Sequence, residues 1–348
     1  MTLNPLTLKK IKRFKEIKRG YWSLVVLCTL LMLSLVAELL INSKALVVSY
    51  QGNTYFPVIS DVYIGQDFGL NYSSEVNYRQ LKRIFESEDN TDNYVIMPLV
   101  PWNAYEQDFD GGSYPPTAPD AASQHYLGTD IIGRDILARL VYGFRTAMGF
   151  ALVTMVLSYI IGISMGCAMG FFGGKFDLFS QRLIEIWSMV PFLYVIMILV
   201  SVTQPTFGLF VIINVLFSWM GITWYMRTMT YKEAAREYVQ SARALGASTS
   251  RIIFKHILPN TMVMVVTLAP FTIAANITAL TALDFLGLGL MPPTPSWGEL
   301  LQQGKSNLDA PWIVSSVVVS IVAVLVMVTF IGEAVRAAFD PKKYTRYT

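Results

Sequence analysis

Thiols, imidazoles and charges are scarce in this chain. Its two cysteines, Cys28 and Cys167, both fall inside apolar runs, where a thiol behaves as a small hydrophobe with no reason to pair. The two histidines, His125 and His256, lie far apart and have neither cysteine nor HExxH-type company, which argues against a metal site. Charged residues make up only 15% of the 348 residues, against 53% hydrophobic, a balance that argues for a chain that lives in lipid. A phosphate-binding loop is missing too. Gly173-Gly174-Lys175 has Met169 five residues before Gly174 and Phe176 where a Ser or Thr would hold magnesium, so it reads as a turn. Internal repeats and low-complexity tracts are absent.

What is present is a series of long apolar runs. The first, Tyr21 to Ile41, follows a basic stretch holding Lys9, Lys10, Lys12, Arg13, Lys15, Lys18 and Arg19. It is too long for a signal-peptide core, and no small-x-small cleavage pattern follows it, so it reads as a retained helix. Five more runs follow at roughly 147 to 172, 183 to 203, 207 to 227, 261 to 283 and 312 to 333, each near the ~20 residues that a spanning helix needs. The expected fold class is an all-α membrane protein of about six transmembrane helices. Lys and Arg gather before the first run, at Lys175 and Arg182, in the loop 229–260 and after Arg336. The positive-inside rule then places both termini and that loop in the cytoplasm. The basic N-terminus is thus an orientation signal and not a nucleic-acid arm.

Three regions are expected: 1–41, a basic N-terminus with the first helix; 42–143, a periplasmic α+β insertion; and 144–348, a five-helix core. In the insertion, Ala45 to Tyr50 and Tyr94 to Val100 look like strands, with turns at Gln51-Gly52-Asn53 and Gly111-Gly112. Ser73 to Asn93 is polar enough to be mobile. In the core, Gly162, Gly166 and Gly170 form a stripe that lets another helix approach closely, and Pro191 and Pro270 interrupt runs three and five.

The loop reads Tyr238-Val239-Gln240-Ser241-Ala242-Arg243-Ala244-Leu245-Gly246-Ala247-Ser248, then Arg251-Ile252-Ile253-Phe254-Lys255-His256-Ile257-Leu258-Pro259-Asn260. Lys232 to Leu245 favours helix, Gly246 supplies a C-terminal cap of positive φ, Ser248 caps the next helix and Pro259 opens the fifth span. Two further segments stand out. Leu127-Gly128-Thr129-Asp130-Ile131-Ile132-Gly133-Arg134-Asp135-Ile136 leads into Leu140 as an amphipathic helix suited to the interface. Leu283-Asp284-Phe285-Leu286-Gly287-Leu288-Gly289-Leu290 leads through Pro292 and Pro293 to Ser296-Trp297-Gly298-Glu299-Leu300.

The loop resembles the EAA motif of ABC importer permeases: Glu-Ala-Ala, three residues, Gly, nine residues, Ile-x-Leu-Pro. Ala242, Gly246, Leu258 and Pro259 match in type and spacing, whereas Gln240, Ser241 and His256 stand where the family has Glu, Ala and Ile. Glu233-Ala234-Ala235 is a decoy, because Val239 occupies the position that needs Gly. The other two segments are similar to the LGTDxxGRD and C-type-subunit signatures of dipeptide and oligopeptide permeases. Gly20-Tyr21-Trp22-Ser23-Leu24 and Tyr55-Phe56-Pro57 resemble the YejE branch, associated with oligopeptide and microcin C uptake. The resemblance implies a bacterial inner-membrane permease subunit, not an enzyme. It would work with a second permease subunit, separate ABC ATPase subunits that bind ATP and magnesium, and a periplasmic binding protein. No cofactor is expected on this chain. Gln240, Ser241, Ala242, Arg243, Gly246, Arg251, Leu258 and Pro259 would form the ATPase-coupling contact, with Ala242 and Gly246 its tight part.

Ionisable groups within spans are costly and point to function by default. Glu38 sits near a solvated helix end. Glu185 has Arg182 as a partner or faces substrate, Pro191 bends the same run, and Asp284 either meets a peptide amino terminus or caps the following loop. An ion-gradient transporter would show inverted repeats and paired mid-helix acids, which this chain lacks. A membrane-anchored sensor using 42–143 as its receptor would leave five helices without a role.

Overall fold

The computed structural model describes residues 5–60, 62–87, 92–109 and 114–339. The basic N-terminus is a helix, α1 (Pro5–Glu16), set off from α2 (Lys18–Leu35) by a break at Ile17. The first span is shorter than the apolar run. At Val36 the chain breaks, and a four-residue helix α3 (Ala37–Leu40) follows. Arg145 explains the stop, since its guanidinium donates to the Ser34 carbonyl at 3.4 Å and to Glu38 at 2.7 Å. The end of the first helix is therefore met by a side chain of the second.

The inserted segment folds around a small antiparallel sheet of order β2-β1-β3, with β1 Val47–Tyr50, β2 Asn53–Tyr55 and β3 Tyr94–Ile96. Gln51 and Gly52, both of positive φ, make the tight hairpin between β1 and β2. The Gly111-Gly112 turn lies outside the described residues. The stretch expected to be mobile instead contains α4 (Tyr78–Ser87), whose Tyr78, Leu81 and Phe85 are buried on one face. Its polarity belongs to the other face of an amphipathic helix, so a low average hydrophobicity here coexists with a buried stripe. Burial beside Glu75 pushes the Tyr78 phenol well above its usual range.

The separate interfacial helix expected after Leu127 does not form. Residues 128 to 134 are non-helical, with Thr129 bridged to Asp135, and Asp135 caps α5 (Ile136–Phe172), which runs 37 residues without interruption across the boundary expected at 143. The helix starts where the Asp135 carboxylate takes the Ala138 amide at 2.7 Å. The glycine stripe on α5 faces α8 (Phe207–Ala234). A Cβ on Gly166 would lie 2.6 Å from both Met226 Cβ and the Thr223 carbonyl, so no larger residue fits without moving a backbone.

The third run is two helices, α6 (Gly174–Ser188) and α7 (Phe192–Val202), bent by 60° with Pro191 as the N-cap of α7. Proline has no amide to continue the helix through that point. After α8 come α9 (Glu237–Ala244), the short turn α10 (Thr249–Arg251), a π-helical stretch Ile252–Ile257, and α11 (Leu258–Phe285), which continues through Pro270. A ten-residue helix α12 (Trp297–Ser306) and α13 (Pro311–Phe339) follow as the last described elements. Among the described residues five helices are long and apolar enough to cross a membrane, or six if the bent pair is one span.

Candidate functional site

Two polar constructions sit at opposite ends of the bundle. The first is the loop after α8. The α9 helix ends in a Schellman motif: the Gly246 amide donates to the Arg243 carbonyl and the Ala247 amide to the Ala242 carbonyl, both at 3.0 Å, with Gly246 at φ +79°. Ala242 and Gly246 are thus the two positions on which the helix stop is built. Ser248 then accepts the Arg251 amide and caps the next helix. From Thr249 the chain runs helically to Phe285, so Leu258 and Pro259 lie inside a continuous rod and do not begin a new one. The expected helix from Lys232 to Leu245 is likewise split, at Ala235 and Arg236.

Tyr238 ties these pieces together. Its hydroxyl donates to Glu233 at 2.6 Å and accepts from Asn260 at 2.9 Å, while Asn260 also donates to the His256 carbonyl at 2.9 Å. Burial and the Glu233 hydrogen bond push the Tyr238 phenol upward. Gln240 donates to the Ala234 carbonyl at 2.8 Å, bridging the split, and Arg243 lies over the Phe171 ring at 5.1 Å. Beneath them Val239, Ile252 and Ile257 are buried together. Ser241, Arg243, Leu245, Gly246 and Arg251 are exposed. Leu245 is 87% exposed and Phe254 68%, an apolar display on an otherwise polar loop.

The second construction caps the opposite end. Arg134 donates to Asp130 and to Glu299, each at 2.7 Å, and Arg139 donates to the other Glu299 oxygen and to the Ala104 carbonyl. Both arginines are at most 2% exposed. Gln303 donates to Glu299 at 3.0 Å, Trp297 Nε1 to the Leu140 carbonyl at 3.0 Å, and Trp312 Nε1 to the Thr129 carbonyl at 3.3 Å. Beside this network His125 lies between Asp135 at 2.8 Å and Asp108 at 3.3 Å, stacked on Trp102. The segment from Leu127 to Arg139 and the segment around Glu299, far apart in sequence, are one structure.

Residues 158–343, more than half of the chain, match the family described as the binding-protein-dependent transport system inner membrane component. The chain belongs to this family. It is 41% identical over 343 residues to the inner membrane ABC transporter permease protein YejE of Escherichia coli K12, covering 98% of each chain. It is 36% identical over 365 residues to the peptidoglycan transport system permease protein YejE of Agrobacterium fabrum, covering 99% of this chain and 95% of that one. The oligopeptide transport system permease protein OppC of Lactococcus lactis subsp. cremoris is 34% identical over 227 residues, covering 64% of this chain and 77% of its own.

In this permease the remaining expected site residues are distributed as follows. Glu185 pairs with Arg182 at 2.6 Å. Asp284 is buried, and its carboxylate accepts the Leu290 amide at 2.7 Å and the Ser296 hydroxyl, so it pins the loop that leads to α12. The Arg134, Arg139 and Glu299 network was missed as a unit. Its residues were visible as two motifs, but charge complementarity alone does not say which distant carboxylate an arginine meets. Asp177 and Arg227, a two-bond ion pair at 2.6 Å joining α6 to α8, had no local signal at all.

Proposed function

We propose that this permease is the membrane subunit of an ATP-driven importer of peptides or peptide-like compounds, and that the 229–260 loop seats on a separate ATPase. The carrying observation is the loop's construction: a helix stopped at Gly246, locked to α8 and α11 through Tyr238, and displaying Leu245 and Phe254 outward. Surface apolar side chains held on a fixed backbone suit a partner pocket. The α10, π-helical and α11 segments form one rod, so a push on the loop is delivered to a spanning helix. Gln240 is occupied in bracing the loop, leaving Ser241, Ala242, Arg243, Gly246 and Arg251 as the contact surface. Relatives named for oligopeptide and peptidoglycan transport support the cargo class.

In this reading the bent α6–α7 pair is one span, giving six, with both termini cytoplasmic and the inserted segment periplasmic. A second permease subunit completes the pathway and a periplasmic binding protein delivers cargo. ATP and magnesium reside on the ATPase, and this chain catalyses nothing itself. Glu185 and the Pro191 bend lie on the pathway, and Asp284 anchors its outer wall. The test is Leu245→Asp, with Gly246→Glu beside it. Both are expected to abolish co-purification of the ATPase and cargo uptake; the exposed Leu245→Asp leaves the unfolding temperature of the purified subunit at the wild-type value, whereas Gly246→Glu, placed at positive φ, lowers it slightly. Retained ATPase binding with retained uptake would overturn the assignment of this loop.

A further inference from the structure

The basic N-terminus does more than set orientation. Helix α1 is set apart from the first span by the break at Ile17, whose ψ is 82°, so it is an element of its own and not an extension of α2. Apart from Arg13, which is half-buried, the cations of this helix together with Arg19 fall into two groups. Lys10 lies over the Phe339 ring at 4.5 Å, and Arg19, just beyond the helix, pairs with Glu333 at 3.1 Å and covers Phe330. These two fasten the N-terminal segment to the end of α13. Lys9, Lys12 and Lys15 are exposed and have no partner among the described residues. Two apolar side chains of the same helix also stay outside the fold, Leu8 at 50% and Ile11 at 43% exposure. Glu16 is the only acid among the residues from Lys9 to Arg19.

We propose that α1 is a binding surface for anionic phospholipids of the surrounding bilayer. An amphipathic helix next to a span, with apolar residues left uncovered beside unpaired lysines, matches the chemistry of a bilayer surface: acyl chains beneath and phosphate headgroups level with the charges. The location selects the occupant, because α1 leads directly into a membrane-crossing helix and its free lysines remain within reach of headgroups. By clamping α1 against α13, Lys10 makes the first and last long helices share this lipid contact. The inference needs only that α2 crosses the bilayer, so it stands apart from the importer reading.

The test compares the full-length permease with the triple variant Lys9→Gln, Lys12→Gln, Lys15→Gln. Detergent-purified protein is titrated with phosphatidylglycerol or with phosphatidylcholine, and bound lipid is counted by native mass spectrometry. Each basic side chain near an anionic surface is worth about fivefold in binding. The triple variant is therefore expected to bind phosphatidylglycerol at least tenfold more weakly, with phosphatidylcholine unchanged, and the Lys→Arg triple variant to bind like wild type. Equal phosphatidylglycerol binding by the Gln variant, or equal binding of both lipids by wild type, overturns the proposal. So does a Gln variant that keeps the lipid but loses the ATPase, which would assign the surface to a protein partner.

Discussion

At the end of the bundle that carries the inserted segment, charge is buried and paired: Arg134 and Arg139 share Glu299 and Asp130, and His125 is held between two carboxylates. At the opposite end, the 237–257 loop leaves Ser241, Arg243, Leu245 and Arg251 exposed over a core of three buried residues. Both ends are polar, and both are built from the segments most distinctive in sequence. The difference is who supplies the partners. The first end finds them within the chain. The second has its backbone satisfied while Ser241, Leu245, Arg251 and Phe254 stay exposed, which is the condition of a surface kept for another subunit.

Equivalent truncations at the two ends are expected to differ sharply. The largest effect is expected from Glu299→Ala, which removes the carboxylate that two buried guanidinium groups share; removing one partner of a buried ion pair costs about 3–5 kcal/mol, read as a large fall in the thermal unfolding midpoint of the purified subunit. Asp135→Ala comes next, since it removes both the α5 cap and a partner of His125. A loss of about 2 kcal/mol is expected from a cap and a buried hydrogen bond together, again by thermal unfolding. The smallest effect belongs to Ser248→Ala in the exposed loop, about 0.5–1 kcal/mol for a lost cap and below that if the loop frays independently of the core. Hydrogen exchange at the Arg251 amide measures it directly. A Ser248→Ala loss as large as that of Glu299→Ala would mean that the loop is part of the folding core, and the contrast would fail.

How far these features could be read in advance depended on the range of the interactions behind them. The loop was legible because its signals are local: Gly246 stops a helix and Ser248 starts one within three residues, and both act through their own neighbours' backbone. The split at Ala235 and Arg236 was not legible, because no residue there is a helix breaker and the stop is held by Gln240 and Tyr238. The same holds for the start of α5. Asp135 reads as a cap only once His125 and the turns from Gly128 to Gly133 have fixed the chain before it. Polarity misled at Tyr78–Ser87, where a helix hides its apolar stripe among Arg, Gln, Lys and Glu.

The sequence by itself determined that this is a membrane protein with its charges segregated, and it determined the family through the spacing from Ala242 through Gly246 to Pro259. Both follow from hydropathy and local backbone geometry, which are written in consecutive residues. Only the tertiary structure decided that the first span stops at Leu35, that the third is bent, and that the loop and α11 form one rod. It alone decided that Arg134 and Arg139 meet Glu299 about 160 residues away. Those outcomes rest on which groups meet across the bundle, and a buried arginine's choice of carboxylate is made by packing, not by distance along the chain.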